Sequence, residues 1–263
     1  MSDETEDNYT AFTRDQDCVY IAEGRKLSRW RRGKMITKIE SEEHHQREII
    51  QLMKLGNYLI SVDETLKLVV WDVKEIKNVE YLKSFSLKSE SESKVKVLFH
   101  PATYINKILI GFEDGKMQLW NLLSEKLIYT FKGWGKEITE IVQSPALDVV
   151  GIGLSNGEIV IHNLKFDKSL MLFQSESCIN SLSFRTDGFP FLVSAHSNGE
   201  INIWDLDNQK LHANIKHIHQ NGVSCVSFLN KEPVLVSTGG DNSLKIWIFD
   251  SEVKKKKNSK KKN

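Results

Sequence analysis

Apolar residues along this chain fall in short runs rather than in helical stripes. The runs KLSRW, KLVVW, KMQLW, EIVIH, EINIW and SLKIW end at Trp30, Trp71, Trp120, His162, Trp204 and Trp247. Between them lie other short apolar segments, bounded by Gly, Asn, Asp and Ser, with almost no period near 3.6. Residues 176–217 show the pattern most plainly. Residues 178–184 alternate like an inner strand, and RTDG (185–188) reads as a turn. Residues 191–195 read as a second strand, and Ser197-Asn198-Gly199 as a tight hairpin in which Gly199 tolerates positive φ. Residues 201–206 and 210–215 complete a set of four strands, which predicts one antiparallel sheet per unit.

The six marker residues are separated by 41, 49, 42, 42 and 43 positions. A period of about 40–45 residues closing on Trp-Asp or Trp-Asn resembles the WD repeat. Asp72, Asn121, Asn163 and Asp205 supply the second residue of the pair. The expected fold is therefore all-β, a WD-repeat β-propeller with six visible blade repeats. Their bounds are about 8–40, 41–88, 89–133, 134–175, 176–217 and 218–250. A β-sandwich does not repeat a tryptophan at this period. The first five units each have a plausible fourth strand. In the sixth, Trp247-Ile248-Phe249-Asp250 runs into SEVKKKKNSKKKN, which holds no apolar strand. The expectation is a sixth blade without its outer strand, and an open edge beside residues 244–250. MSDETED at residues 1–7 is too acidic to read as a good closing strand. Six such blades would form part of a seven-bladed ring.

WD-repeat likeness also implies a role for polar residues at fixed places. In the sixth unit His219, Ser237, Asp241 and Trp247 sit at the family's spacing for a relay that satisfies the indole N–H. The same residues include a His-Ser-Asp set, but no nucleophile elbow carries the serine. His162 stands where the other units have tryptophan and reads as a core histidine.

Composition narrows the class. Hydrophobic residues make up 40% and charged residues 27%, as in ordinary globular chains. No run approaches eighteen apolar residues, so no membrane-spanning helix is expected. Cys18, Cys178 and Cys225 are an odd, scattered trio, against a disulfide framework and without metal spacing. The formal net charge of +1 hides an asymmetry. Seven of the 36 basic residues fall in the last ten positions, which leaves 29 basic against 35 acidic residues elsewhere, a balance of −6. Such a body is not expected to coat nucleic acid with its whole surface.

Candidate chemistry is thin. GIGLSNG (151–157) has the look of a loose dinucleotide fingerprint, but the strand-like EIVIHNL follows where a helix is needed. GWGK (133–136) lacks the remainder of a phosphate-binding loop. His44 and His45, and likewise His217 and His219, lack the i, i+4 spacing of a helical zinc site, and read as surface loops or blade relay. No catalytic residue, cofactor, metal or small-molecule substrate is expected.

The finer pattern resembles one family. The segments are HPATYINKILIGFEDGKMQLWN (100–121), KLIYTFKGW (126–134), SPALDVVGIGLSNGEIVIHNLKF (144–166), SFRTDGFP (183–190) and DNSLKIWIFD (241–250). His162-Asn163 in place of Trp-Asp, and Gly133-Trp134 in place of Gly-His, are among its marks. The chain resembles the N-terminal propeller of the WD-repeat subunit of the U3 small nucleolar RNA-associated complex, called utp-twenty-one in fungi. The likeness covers most of residues 49–250. It implies a non-enzymatic scaffold of the small-subunit processome, in the nucleus and nucleolus, acting in pre-rRNA processing and 18S rRNA biogenesis. It implies other WD-repeat processome proteins, the U3 snoRNP and pre-rRNA as partners. It further implies a blade ahead of the first unit, a second propeller after the last and a helical C-terminal region, so that this chain is a fragment of a longer one. The alternative reading is a WD-repeat adaptor in another assembly, such as a substrate receptor or signalling platform.

Lys254, Lys255, Lys256, Lys257, Lys260, Lys261 and Lys262 form a basic tail within residues 251–263 that is expected to be disordered. It reads as a solvated tail, a nuclear or nucleolar address, or a contact for RNA phosphates. If all seven lysines met single-stranded phosphates, they would contribute a log–log salt slope of roughly −5. Deletion of residues 254–263 is then expected to flatten the salt dependence of RNA binding. An unchanged slope in a filter-binding titration removes the tail from RNA contact.

Overall fold

The computed structural model describes residues 9–88 and 93–249. The expectations placed on residues 1–7 and 251–263, the lysine tail among them, lie outside the described residues. The described residues form strands and turns without a helix, arranged as six antiparallel sheets. The chain divides into two compact units, residues 1–138 and 139–263.

The first unit holds three four-stranded sheets. Blade 1 is β1 (Tyr9–Arg14), β2 (Val19–Glu23), β3 (Lys26–Arg31) and β4 (Lys34–Ile39). Blade 2 is β5 (Ile49–Leu55), β6 (Tyr58–Asp63), β7 (Lys67–Asp72) and β8 (Glu80–Ser86). Blade 3 is β9 (Val95–Phe99), β10 (Lys107–Phe112), β11 (Met117–Asn121) and β12 (Lys126–Phe131). The second unit holds blade 4, with β13 (Ile138–Gln143), β14 (Val149–Leu154), β15 (Glu158–Asn163) and β16 (Lys168–Gln174). Blade 5 is β17 (Ile179–Phe184), β18 (Phe191–His196), β19 (Ile201–Asp205) and β20 (Lys210–Ile215). Among the described residues blade 6 has three strands, β21 (Val223–Phe228), β22 (Val234–Gly239) and β23 (Leu244–Ile248).

The core lies between blades, not within them. Tyr20, Ala22 and Leu27 of blade 1 pack with Ile49, Leu59, Val69 and Trp71 of blade 2. Ile60, Val62 and Leu68 of blade 2 pack with Ile108, Ile110 and Trp120 of blade 3. In the second unit Val149, Ile159 and Ile161 pack with Ile179, Leu182 and Trp204, and Val193 and Ile201 pack with Val223 and Val226. A middle strand is thus buried on both faces. This is why β14, VVGIGL, is buried at every position and reads as a continuous apolar run instead of an alternating one.

Two local devices recur. The register between third and fourth strands shifts just before the marker residue in all five four-stranded blades, between Arg29 and Trp30, Val70 and Trp71, Leu119 and Trp120, Ile161 and His162, and Ile203 and Trp204. Such a bulge bends the strand and strengthens its twist. His162 keeps the bulge, so it occupies the tryptophan's place in backbone terms. Next, the residue after the marker caps the turn that follows. Asp72 accepts from the Lys74 amide (2.8 Å), Asn121 from Leu123 (2.9 Å), Asn163 from Phe166 (3.1 Å) and Asp205 from Asn208 (2.9 Å). Ile248 follows Trp247 in blade 6, and β23 is the edge of its sheet. Leu244, Ile246 and Ile248 stand 60%, 64% and 78% exposed along that edge, which no outer strand covers among the described residues.

The hairpin glycine of the middle strands is fixed by a close approach. Gly157 has φ +85, and a Cβ there would lie 2.4 Å from the Ser175 carbonyl oxygen. That approach lets the Ser175 amide donate to the Gly157 carbonyl at 2.9 Å. Gly115 and Gly199 occupy the same place one period away in blades 3 and 5. The glycine of GIGLSNG therefore serves a hairpin, and β15 follows it. Gly157→Ala is expected to cost about 2–4 kcal/mol, from left-handed strain plus overlap with a backbone oxygen. Urea denaturation of the purified variant measures it; a loss below about 1 kcal/mol would show the approach to be loose.

Candidate functional site

The marker tryptophans are large, and each indole N–H needs an acceptor once buried. The five blades with a tryptophan meet that demand differently, and blade 4 has His162 in its place. In blade 2, Trp71 Nε1 donates to Ser61 Oγ at 2.8 Å, and Ser61 Oγ lies 2.7 Å from His45 Nε2. His45 Nδ1 lies 3.1 Å from Asp63 Oδ2. All four residues are buried. The consistent arrangement is an Nδ1–H tautomer donating to the carboxylate, with Nε2 accepting from the serine hydroxyl. Burial raises the Asp63 pKa, but hydrogen bonds from His45, Thr65 and the Lys67 amide outweigh it and hold the group at about 2.

Blade 6 brings together the four residues marked by sequence spacing. His219 Nδ1 is 2.9 Å from Asp241 Oδ1, His219 Nε2 is 2.9 Å from Ser237 Oγ, and Trp247 Nε1 donates to Ser237 Oγ at 3.1 Å. Hydrogen bonds from Ser243 and then His219 hold the Asp241 carboxyl well below the usual carboxylate range. Gly239 makes room for the ring: a Cβ there would lie 2.3 Å from His219 Cβ. The relay differs from a fully buried one in that Trp247 and Asp241 are half-exposed, because no fourth strand covers β23 among the described residues. Ser237 itself is fully buried, and its oxygen already accepts the indole proton. A serine so placed is not open to a substrate carbonyl, whatever its order with His219 and Asp241.

Blade 5 reaches the same end with the ring on the other side. Trp204 Nε1 donates to Ser194 Oγ at 2.8 Å, and Ser194 Oγ meets His196 Nε2 at 2.8 Å. Here the imidazole comes from the hairpin, two residues after the serine, where blade 2 has Asp63. Burial lowers the His196 pKa, and the ring faces Ser175 Oγ at 3.1 Å. In blade 3, Trp120 donates to Gln118 Oε1 at 2.8 Å, and Gln118 donates onward to the Lys88 carbonyl at 2.9 Å. In blade 1, Trp30 donates to Ser28 Oγ at 2.8 Å and remains half-exposed. In blade 4 the buried His162 places Nε2 3.2 Å from Asp167 Oδ1, and burial lowers its pKa.

Several structural residues were invisible to the sequence reading. The sequence pattern fits His45 to a surface loop or to a blade relay, and the structure puts it in the relay of blade 2. A serine ten positions before the tryptophan, at Ser61, Ser194 and Ser237, was the available signal. Inner strands are tied sideways by side chains. Gln51 donates to the Lys96 carbonyl at 2.6 Å, Asn180 to the Val223 carbonyl at 2.8 Å, and Ser183 Oγ accepts from the Phe228 amide at 2.9 Å. Glu140 accepts from the Leu182 amide, and burial pushes its carboxyl up to about 7 against that bond. Arg29, 1% exposed, donates to the carbonyls of Val73, Glu75 and Ile76.

Comparison with known proteins identifies the frame. The family model described as the WDR36/Utp21 first β-propeller matches residues 1–250. The human WD repeat-containing protein 36 is 42% identical over 237 residues, covering 90% of this chain and 26% of its own length. The U3 small nucleolar RNA-associated protein 21 homolog of Schizosaccharomyces pombe is 38% identical over the same shares. The chain thus spans about a quarter of these relatives. The solved structure of U3-55K superimposes with TM-score 0.75 over 91% of this chain and 77% of that one, at 14% identity, which is a likeness of fold.

The relays differ in burial, so their loss should differ in cost. Ser61→Ala strands a buried indole N–H and imidazole nitrogen and is expected to cost about 2–3 kcal/mol. Ser237→Ala strands a half-exposed indole that water can reach and is expected to cost about 1 kcal/mol. Chemical denaturation of both variants checks the order; equal losses would show that burial does not set the value of the relay.

Proposed function

The chain belongs to the WDR36/Utp21 first β-propeller family, and on that premise we propose that it is a non-enzymatic scaffold of the small-subunit processome. In this reading it acts in pre-rRNA processing and 18S rRNA biogenesis, in the nucleolus, with other WD-repeat processome proteins, the U3 snoRNP and pre-rRNA around it. The observation that carries the proposal is the match across residues 1–250, joined to relatives whose names tie them to U3 small nucleolar RNA.

The geometry supports a scaffold in two ways. The polar sets that share a triad's composition are spent on fixing indoles and rings. The turns meanwhile present side chains that the core does not use. In blade 3, Ile105 and Leu123 are 81% and 58% exposed in the first-to-second and third-to-fourth strand turns. In blade 4, Leu147 and Phe166 are 72% and 71% exposed in the corresponding turns. In an antiparallel sheet these two turns lie at the same end, so each blade offers a paired apolar tip suited to a protein partner. The lysine tail, as a nucleolar address, belongs to the same reading.

Affinity purification of the tagged chain from a nucleolar extract tests the proposal. Co-purification of U3 small nucleolar RNA with WD-repeat processome proteins is the expected result. Recovery of ubiquitin-ligase or signalling subunits alone would overturn it in favour of an adaptor role. Ile105→Asp with Leu123→Asp, both on exposed turns, is expected to reduce that recovery at least about threefold while leaving Tm within about 2 °C.

A further inference from the structure

An open cleft of about 710 Å³ lies in the first unit, between the β1–β2 turn of blade 1 and the turns after β5 and β7 of blade 2. Arg14, Arg29, Lys54 and Lys74 line it, with Asp15 and Asp17. Both carboxylates are already engaged. Asp15 accepts from the Asp17 amide at 2.9 Å and the Cys18 amide at 2.7 Å, and lies 3.7 Å from Lys54 Nζ. Asp17 pairs with Arg31 at 3.5 Å. The remaining cations have no carboxylate. Arg14 and Lys74 are exposed and form no ion pair among the described residues. Arg29 gives its terminal nitrogens to neutral carbonyls, stacks its guanidinium 5.0 Å from the Tyr20 ring centroid, and leaves its buried Nε–H without an acceptor.

Three positive charges without a carboxylate partner, Arg14, Arg29 and Lys74, stand around one cleft. Its exposed cations come from two sheets, Arg14 from blade 1 and Lys74 from beyond β7 of blade 2, and a polyanion with several phosphates can answer both. We propose that this cleft is a binding site for the phosphate backbone of single-stranded RNA. The proposal deepens the scaffold reading and rests on it for the kind of polyanion. Arg14 and Lys74 make the phosphate contacts, and Arg29 is the positioning residue that holds the segment after β7 against blade 1.

Fluorescence anisotropy with a labelled oligouridylate of about 12 nucleotides tests this on the full chain, with its lysine tail kept in every variant. The double variant Arg14→Gln, Lys74→Gln removes two exposed, unpaired cations and should fold as the parent does, which Tm verifies. Loss of two single-strand phosphate contacts is expected to make the log–log salt slope shallower by about 1.4 and to weaken binding about tenfold at low salt. Lys126→Gln with Lys168→Gln, on exposed outer strands, is the matched control and should leave the slope unchanged. An unaltered slope in the first variant, or an equal change in the control, overturns the site. A phosphoserine peptide that displaces the oligouridylate from the parent as well as unlabelled RNA does would overturn the assignment to RNA. The affinity purification above is read separately. A chain that recovers U3 RNA yet shows no cleft-dependent binding sinks the cleft alone. Cleft-dependent binding without that recovery sinks the scaffold reading instead.

Discussion

A buried indole cannot leave its N–H unanswered, and the organisation of the five blades that carry a marker tryptophan turns on that demand. The tryptophan closes the third strand, where its ring fills the space against the preceding blade: Trp71 in the cluster shared with blade 1, Trp120 in that shared with blade 2, Trp204 in that shared with blade 4. The bulge beside it aims the ring, and the acceptor on the neighbouring strand holds it. Apolar packing supplies the larger favourable term, but the unmade hydrogen bond would offset much of the gain. The acceptor therefore decides whether so large a residue can be used at that place.

The acceptors show how loosely that demand constrains sequence. Ser61 with His45 and Asp63, Ser194 with His196, Gln118 with a carbonyl, and Ser28 alone all serve. Blade 4 sets the indole aside altogether, and His162 with Asp167 fills the position with a smaller polar ring. What is common is one hydrogen-bond acceptor at the right depth, not one residue type. The same chemistry explains why a His-Ser-Asp set appears without an exposed nucleophile. Its groups are turned inward, each spent on the next.

A frame braced in this way leaves its turns free for recognition. The apolar tips of blades 3 and 4 and the basic cleft of blades 1 and 2 use side chains that the core does not need. Arg29 links frame and surface, since the guanidinium that clamps the segment after β7 also lines the cleft.

The repeat can be read along the chain, because period, strand number, the capping Asp or Asn and the hairpin glycine are all local, set by neighbouring residues and turn geometry. The relay of blade 6 was legible for the same reason, because its four residues stand at the spacing the repeat prescribes. Only the tertiary structure decided the rest. His45 became a relay member because blade 2 folds the segment before β5 over Ser61 and Asp63. His196 took that role from the hairpin side, and Arg29 found its acceptors more than forty residues away. Lys54, Arg14 and Lys74 became one cleft only when two sheets met. Packing between blades brings together residues whose separation in sequence carries no period, and neither composition nor spacing records which of them will face each other.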